Sequence, residues 1–381
     1  MREQPALDGL RGIAAFLVVG FHVVVFAIWL GPQGFTEAPL HQPITKLWLH
    51  WGFVGVDFFF VLSAFLLSQP FLARSKVAWG GYAARRLLRI VPPYWASLLL
   101  TFILLGHTDH PWFVMDWHQT WTHVTFLHGA FPDAQFFVSP VYWTLGVELQ
   151  FYLILPLVVR PFRTRWWPLA LLAAGAASVA YRLWVPVPGD LDATRFREAQ
   201  LPAYLWHFAL GITMARIRHQ VRDRVRSPRQ LDLGIVAAIA AFVALPSAIL
   251  NGHPTVYGLE DKVMLALYRP VIAIGFALVI LLACSGPSFT DRLLGTRPLQ
   301  ALGRWSYSLY LIHYPLGAWV CLHNGWLFQL PLRDLAFVLS VVSVAGAAAF
   351  YRLVERPAMR LKDRLLGGAT HRGHPEAAPQ P

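Results

Sequence analysis

Long apolar stretches recur along this chain, and they limit its fold more than any motif does. A segment of about 20 apolar residues crosses the roughly 30 Å hydrocarbon core of a bilayer as a helix, because lipid offers no partner for a free N–H or C=O. About ten stretches qualify, near 10–30, 52–72, 88–106, 141–159, 166–185, 200–215, 231–250, 263–284, 299–321 and 334–351. The shortest, 200–215, contains Pro202 and His207. Hydrophobic residues make up 56% of the chain and charged ones 14%, which excludes an ordinary soluble domain. The expected fold class is all-α: a polytopic membrane protein of about ten transmembrane helices.

Basic residues orient the spans. With the N-terminus inside, the outer segments hold only Lys46, Arg182, Arg195, Arg197, Lys262, Arg269 and Arg333. The rest of the 32 Lys and Arg fall on inner segments or the tail, as the positive-inside rule expects when both termini are cytoplasmic. The same skew accounts for the net charge of +12 without a nucleic-acid partner. The bilayer is the partner expected, with anionic lipid or an anionic ligand at the arginine loops. The sequence thus reads as a multi-pass protein of the cytoplasmic (inner) membrane. Residues 1–366 form one transmembrane domain, and 367–381 a polar, Pro-rich, disordered cytoplasmic tail. Cys284 and Cys321 fall at opposite faces, too far apart for a disulfide. No cleavable signal peptide and no internal repeat are visible, and the oligomeric state is not legible.

Charge inside the spans points to a site. In the first span, Arg11 and His22 lie about 20° apart on one helical face, with Asp8 on the same stripe. Ionisable residues are costly in lipid and mark function by default. At about 1.5 Å per residue, His22, Asp57, Glu148 and His313 share one layer in the outer half of the bilayer. Helix packing explains a lone histidine; four polar residues at one depth call for a shared cavity. The faces agree. Thr144, Glu148, Phe151 and Tyr152 form one stripe, and Ser306, Tyr310 and His313 another, with ordinary packing the plainer account of Phe151 and Ser306. Ser63 stands about 120° from Asp57 and is not grouped with it.

The third span begins with Arg85, Arg86 and Arg89, a cluster suited to several phosphates, though topology anchors on lipid phosphate share the pattern. Pro92-Pro93 follows, where helical hydrogen bonding must be interrupted. The outer loop 107–139 has no Lys or Arg but holds His107, His110, His118, His123 and His128 among Trp112, Trp117 and Trp121. No strong ligand spacing appears there; an interfacial aromatic belt is the favoured explanation, and no metal is predicted.

Taken together, LDGLRGIAAFLVVGFH (7–22), GFVGVDFFFVLSAF (52–65), ARRLLRIVPPYW (84–95), YWTLGVELQFYLILP (142–156), RWSYSLYLIHYP (304–315) and YRLVERP (351–357) resemble the acyltransferase-3 family of integral membrane O-acyltransferases. The segments run in family order over nearly the whole chain. One departs from the pattern: Ser63-Ala64-Phe65 stands where the family has Ser-Gly-Phe. The appended esterase-like domain of some members is absent. The resemblance implies transfer of an acyl group, typically acetyl, from cytoplasmic acyl-CoA to a hydroxyl of a surface polysaccharide, lipid-linked glycan or glycosylated small molecule. On that reading Arg85, Arg86 and Arg89 hold the CoA phosphates, and Asp8 and Arg11 organise its entry. His22 is the general base or a transient acyl carrier, and Glu148 orients the imidazole or is itself the base. Asp57, Tyr94, Tyr310 and His313 line the cavity, and the loops 31–51 and 107–140 select the acceptor.

Two other classes compete. A glycolipid transporter or flippase also uses a buried polar layer and broken helices, but no paired half-helix signature appears, and it should not bind acyl-CoA. A membrane glycosyltransferase commonly needs acidic residues in its outer loops, where 31–50 offers only Glu37.

Overall fold

The computed structural model describes residues 5–31, 52–73, 77–108, 110, 113, 115–187, 189–225, 227–250 and 262–367. The loop 32–51 and the tail beyond 367, both assigned roles above, lie outside the described residues. Among the described residues there is no strand. The long helices are α1 (Pro5–Trp29), α2 (Gly55–Ala73), α3 (Trp79–Leu105), α4 (Trp143–Phe162), α5 (Trp167–Trp184), α6 (Leu205–Arg224), α7 (Pro228–Leu250), α8 (Lys262–Ala283), α9 (Arg297–His323), α10 (Leu332–Phe350) and α11 (Arg356–Gly367). Six helical segments among the described residues are long and apolar enough to cross a membrane: α1, α2 with the turn before it, α3, α4, most of α8, and Leu332–Leu366. The stretch 200–215 begins as a 3₁₀ turn, Leu201–Tyr204, before entering α6.

Two groups of helices meet where α1 packs directly on α2 and the turn before it, with α3 and α4 alongside. In one, α1 packs along α9, and α9 along α10; in the other, α2 packs on α6 and α8, with α5 and α7 outside them. Residue types explain the two tightest contacts. A Cβ on Gly303 would stand 1.9 Å from the Asp8 carbonyl oxygen, so α9 meets α1 backbone to backbone there. Gly12 faces the same crossing. Farther along, Phe26 packs where Gly317 leaves room, so the two helices run parallel. The α2–α6 contact works similarly: a Cβ on Gly211 would lie 2.6 Å from that of Ala64. Ala64 therefore packs against a glycine on the neighbouring helix.

The helix α3 runs through Pro92 and Pro93, which withhold donors from the Leu88 and Arg89 carbonyls, and the Tyr307 hydroxyl donates to the next carbonyl, that of Ile90, at 2.9 Å. In α9, Pro315 cannot donate to the Leu311 carbonyl, which accepts from the Tyr142 hydroxyl at 3.4 Å. Between α10 and α11 the chain forms a π-helical stretch, Tyr351–Glu355, of the kind often found at functional sites. It buries Glu355, whose carboxylate accepts from Ser308 at 2.5 Å.

Candidate active site

A cavity of about 200 Å³ opens between α1, α2, α3, α4 and α9. Its polar residues sort by depth. Arg11, Arg86 and Arg89 line one end, Ser63, Glu148 and Tyr152 the middle, and Thr144 and Tyr310 the other end. Phe59, Phe60, Leu62, Leu66 and Leu67 of α2 form an apolar wall. From Tyr152 to Thr144 is about 12 Å along α4.

Two of the three arginines of α3 face inward: Arg86 and Arg89 both reach the cavity. Arg85, though only about 40° from Arg89 around the helix, is exposed. Arg11 pairs with Asp8 at 3.6 Å, and Asp8 itself is outside the wall.

Glu148 and His22 have different partners. The Glu148 carboxylate accepts from Ser63 Oγ at 2.8 Å and from the Tyr152 hydroxyl at 2.7 Å. Ser63, set apart from Asp57 in the sequence, thus faces the second acidic residue of the layer. His22 is half-buried and meets His313, with His22 Nδ1 3.1 Å from His313 Nε2. The pair lies one turn beyond the cavity's Tyr310 end: the His313 and Tyr310 rings are 6.0 Å apart, centre to centre. At that end the Tyr310 hydroxyl donates to the Val141 carbonyl and meets Thr144 Oγ1, both at 2.6 Å.

The other two expected lining residues lie elsewhere. Asp57 is fully buried in an ionic cluster, with His207 Nε2 and Arg269 Nη1 each at 2.8 Å. Arg269 continues to Glu198 at 3.0 Å, and Arg182 reaches Glu198 at 3.7 Å. Tyr94 is a core residue packed on Phe126 and Tyr142, with ring centres at 4.4 and 5.2 Å.

Sequence reasoning missed Ser63, Tyr307 and Glu355 as members of the site region. The signal for each was its place in a family-like segment: Ser63 in 52–65, Tyr307 in 304–315 and Glu355 in YRLVERP. Among the described residues no group of three or more His, Cys, Asp or Glu is placed to hold a metal. In the outer loop, His123 and His128 stack with ring centres 4.5 Å apart. Burial pushes both imidazoles down, to about 3 for His123 and about 4 for His128.

Comparison with known proteins places the chain in a family. No solved structure matches. The chain is 24% identical to "O-acetyltransferase OatA" of Staphylococcus aureus over 93% of its own length and 57% of that protein's, so it spans little more than half of that relative. It is 28% identical to "Putative membrane-bound transacylase BcsY" of Komagataeibacter xylinus, covering 96% of this chain and 86% of the relative. It is 26% identical to "Acyltransferase MdmB" of Streptomyces mycarofaciens, covering 96% and 94%. A family model described as an acyltransferase domain matches residues 4–352, and the chain belongs to that family, acyltransferase-3.

Proposed function

We propose that this membrane acyltransferase moves an acyl group, in the first instance acetyl, from cytoplasmic acyl-CoA to a hydroxyl of a carbohydrate or glycoside. One observation carries the reading: the cavity has guanidinium groups at one end and the His22–His313 pair just beyond the other. Guanidinium forks match phosphate oxygens, and three of them in a confined cavity suit a polyphosphorylated carrier. CoA binds with its phosphates on Arg11, Arg86 and Arg89, and its narrow pantetheine arm follows the apolar wall of α2 toward Tyr310. Glu148, fixed by Ser63 and Tyr152, balances part of the arginine charge. With about ten spans and both termini cytoplasmic, the arginines face the acyl-CoA pool of the cytoplasm and the histidines the opposite half of the bilayer.

At the histidines, His22 Nε2 takes the proton of the acceptor hydroxyl as its oxygen bonds to the acyl carbonyl carbon. The C–S bond then breaks, and the proton passes to the departing thiolate. Acyl ester and free CoA result. The names of relatives, an O-acetyltransferase among them, support oxygen as the acceptor atom. The outer loops 31–51 and 107–140 choose the acceptor, and the enzyme works in the cytoplasmic membrane.

The test is acetyl-CoA binding and slow hydrolysis by detergent-purified protein. Wild type should bind and hydrolyse, His22→Ala bind without hydrolysis, and Arg86→Ala bind poorly. A wild-type protein that binds no acyl-CoA sinks the proposal and brings the transporter reading forward.

A further inference from the structure

Hydrogen-bond accounting at the two histidines leaves one arrangement of protons. His313 Nδ1 lies 2.9 Å from the Leu309 carbonyl oxygen and 3.0 Å from that of Tyr310. A carbonyl only accepts, so His313 carries its proton on Nδ1. His22 Nδ1 lies 2.9 Å from the Val18 carbonyl, so it too is protonated. The single Nδ1 proton of His22 is then shared between the Val18 carbonyl at 2.9 Å and, across the 3.1 Å contact, the lone pair of Nε2 on a neutral His313. His22 Nε2 is left as the bare nitrogen.

We propose that His313 is a positioning residue, which locks His22 in the Nδ1–H tautomer and takes up that proton's hydrogen bond as His22 becomes cationic. The role is the one a carboxylate plays beside a catalytic histidine. A neutral imidazole fills it without placing a second charge in lipid. The backbone sets the device: both His313 carbonyl partners belong to its own helix, and the Gly303–Asp8 contact fixes the register that brings α9 to α1. The catalytic half of this inference rests on His22 acting as base; the tautomer half does not.

The experiment separates the two halves. In ¹⁵N-histidine-labelled protein, with His22 signals assigned by their loss in His22→Gln, the His22 ring should be protonated at Nδ1 and bare at Nε2. A wild-type His22 protonated at Nε2 overturns the proposal, whatever the activity. For the catalytic half, His313→Gln places an amide oxygen where Nε2 accepted, and His313→Leu places nothing. Acetyl-CoA hydrolysis by His313→Leu should fall about 100-fold in kcat with KM nearly unchanged, and His313→Gln should recover most of it. Equal rates for Leu and Gln variants, with donor binding intact, overturn the positioning role. If the Leu variant does not fold, a Gln variant with the Nε2–H tautomer or a 100-fold lower kcat does the same. If wild type binds no acyl-CoA, the proposed function fails, and the labelling result still decides the tautomer lock.

Discussion

Replacing Gly303 by alanine should damage catalysis from about 15 Å away. The added Cβ would sit 1.9 Å from the Asp8 carbonyl oxygen, 2.5 Å from its carbon and 3.0 Å from its Cα, all backbone atoms. No side chain can swing aside, so the helices must part by about 1.1 Å merely to reach 3.0 Å. Carried rigidly along α9, that shift would stretch the 3.1 Å His22–His313 contact to about 4.2 Å, beyond hydrogen-bonding range. Overpacking of this kind costs about 1–3 kcal/mol. A displacement of about 1 Å at a reacting group costs up to about 100-fold in rate. Gly303→Ala should therefore lower the melting temperature in detergent and reduce acetyl-CoA hydrolysis far more than donor binding. Gly325→Ala is the control, since a Cβ there meets nothing within 4 Å. A Gly303→Ala protein that melts and turns over like Gly325→Ala would refute the claim that this crossing sets the histidine register.

Three further outcomes are expected. Arg86→Ala and Arg89→Ala should each raise KM for acetyl-CoA about 10- to 100-fold, as loss of a charge-assisted phosphate contact does, while the exposed Arg85→Ala changes it little; equal effects of all three would count against the cavity as the phosphate site. Asp57→Ala should lower stability by about 3 kcal/mol, near the bottom of the range for a broken buried ion pair because Arg269 keeps Glu198; retention of acetyl-CoA binding by protein kept cold separates this structural loss from a lining role. His123 and His128 hold their imidazoles neutral, at about 3 and about 4, below the unfolded value near 6.5. The unfolded chain therefore binds protons first as pH falls. The stability is fully present above about 6.5, and each histidine removes about 2 kcal/mol of it between pH 7 and 5. A His123→Gln/His128→Gln protein should show a flatter loss of thermal stability over that range, and identical slopes for the two proteins would exclude this origin.

What the sequence revealed depended on periodicity. The helical form of the apolar stretches and the stripe of Thr144, Glu148, Phe151 and Tyr152 are properties of single helices: the described chain is helical without strands, and Thr144, Glu148 and Tyr152 line the cavity while Phe151 stacks on Phe208. Partnership between helices is not such a property. Asp57 and Glu148 read alike, as acidic residues at one depth, yet Asp57 meets Arg269 and His207 while Glu148 meets two hydroxyls. Nothing in the spacing of α2 tells which neighbour its Asp57 face will meet. His207, noted only as a blemish in the shortest apolar stretch, is the partner that makes the difference.

Depth alone therefore could not distinguish a cavity from an ionic clasp beside it. The structure divides that layer by chemistry. Where a carboxylate meets cations, both groups are spent on each other and the cluster holds helices together. Where a carboxylate takes its hydrogen bonds only from hydroxyls, and an imidazole shares its own only with another imidazole and a backbone carbonyl, capacity is left over for a ligand. Glu148 and His22 fall in the second class, on opposite sides of Tyr310. That residual capacity, more than the presence of charge in the membrane, is what the α1–α9 crossing and the adjoining cavity offer to a ligand.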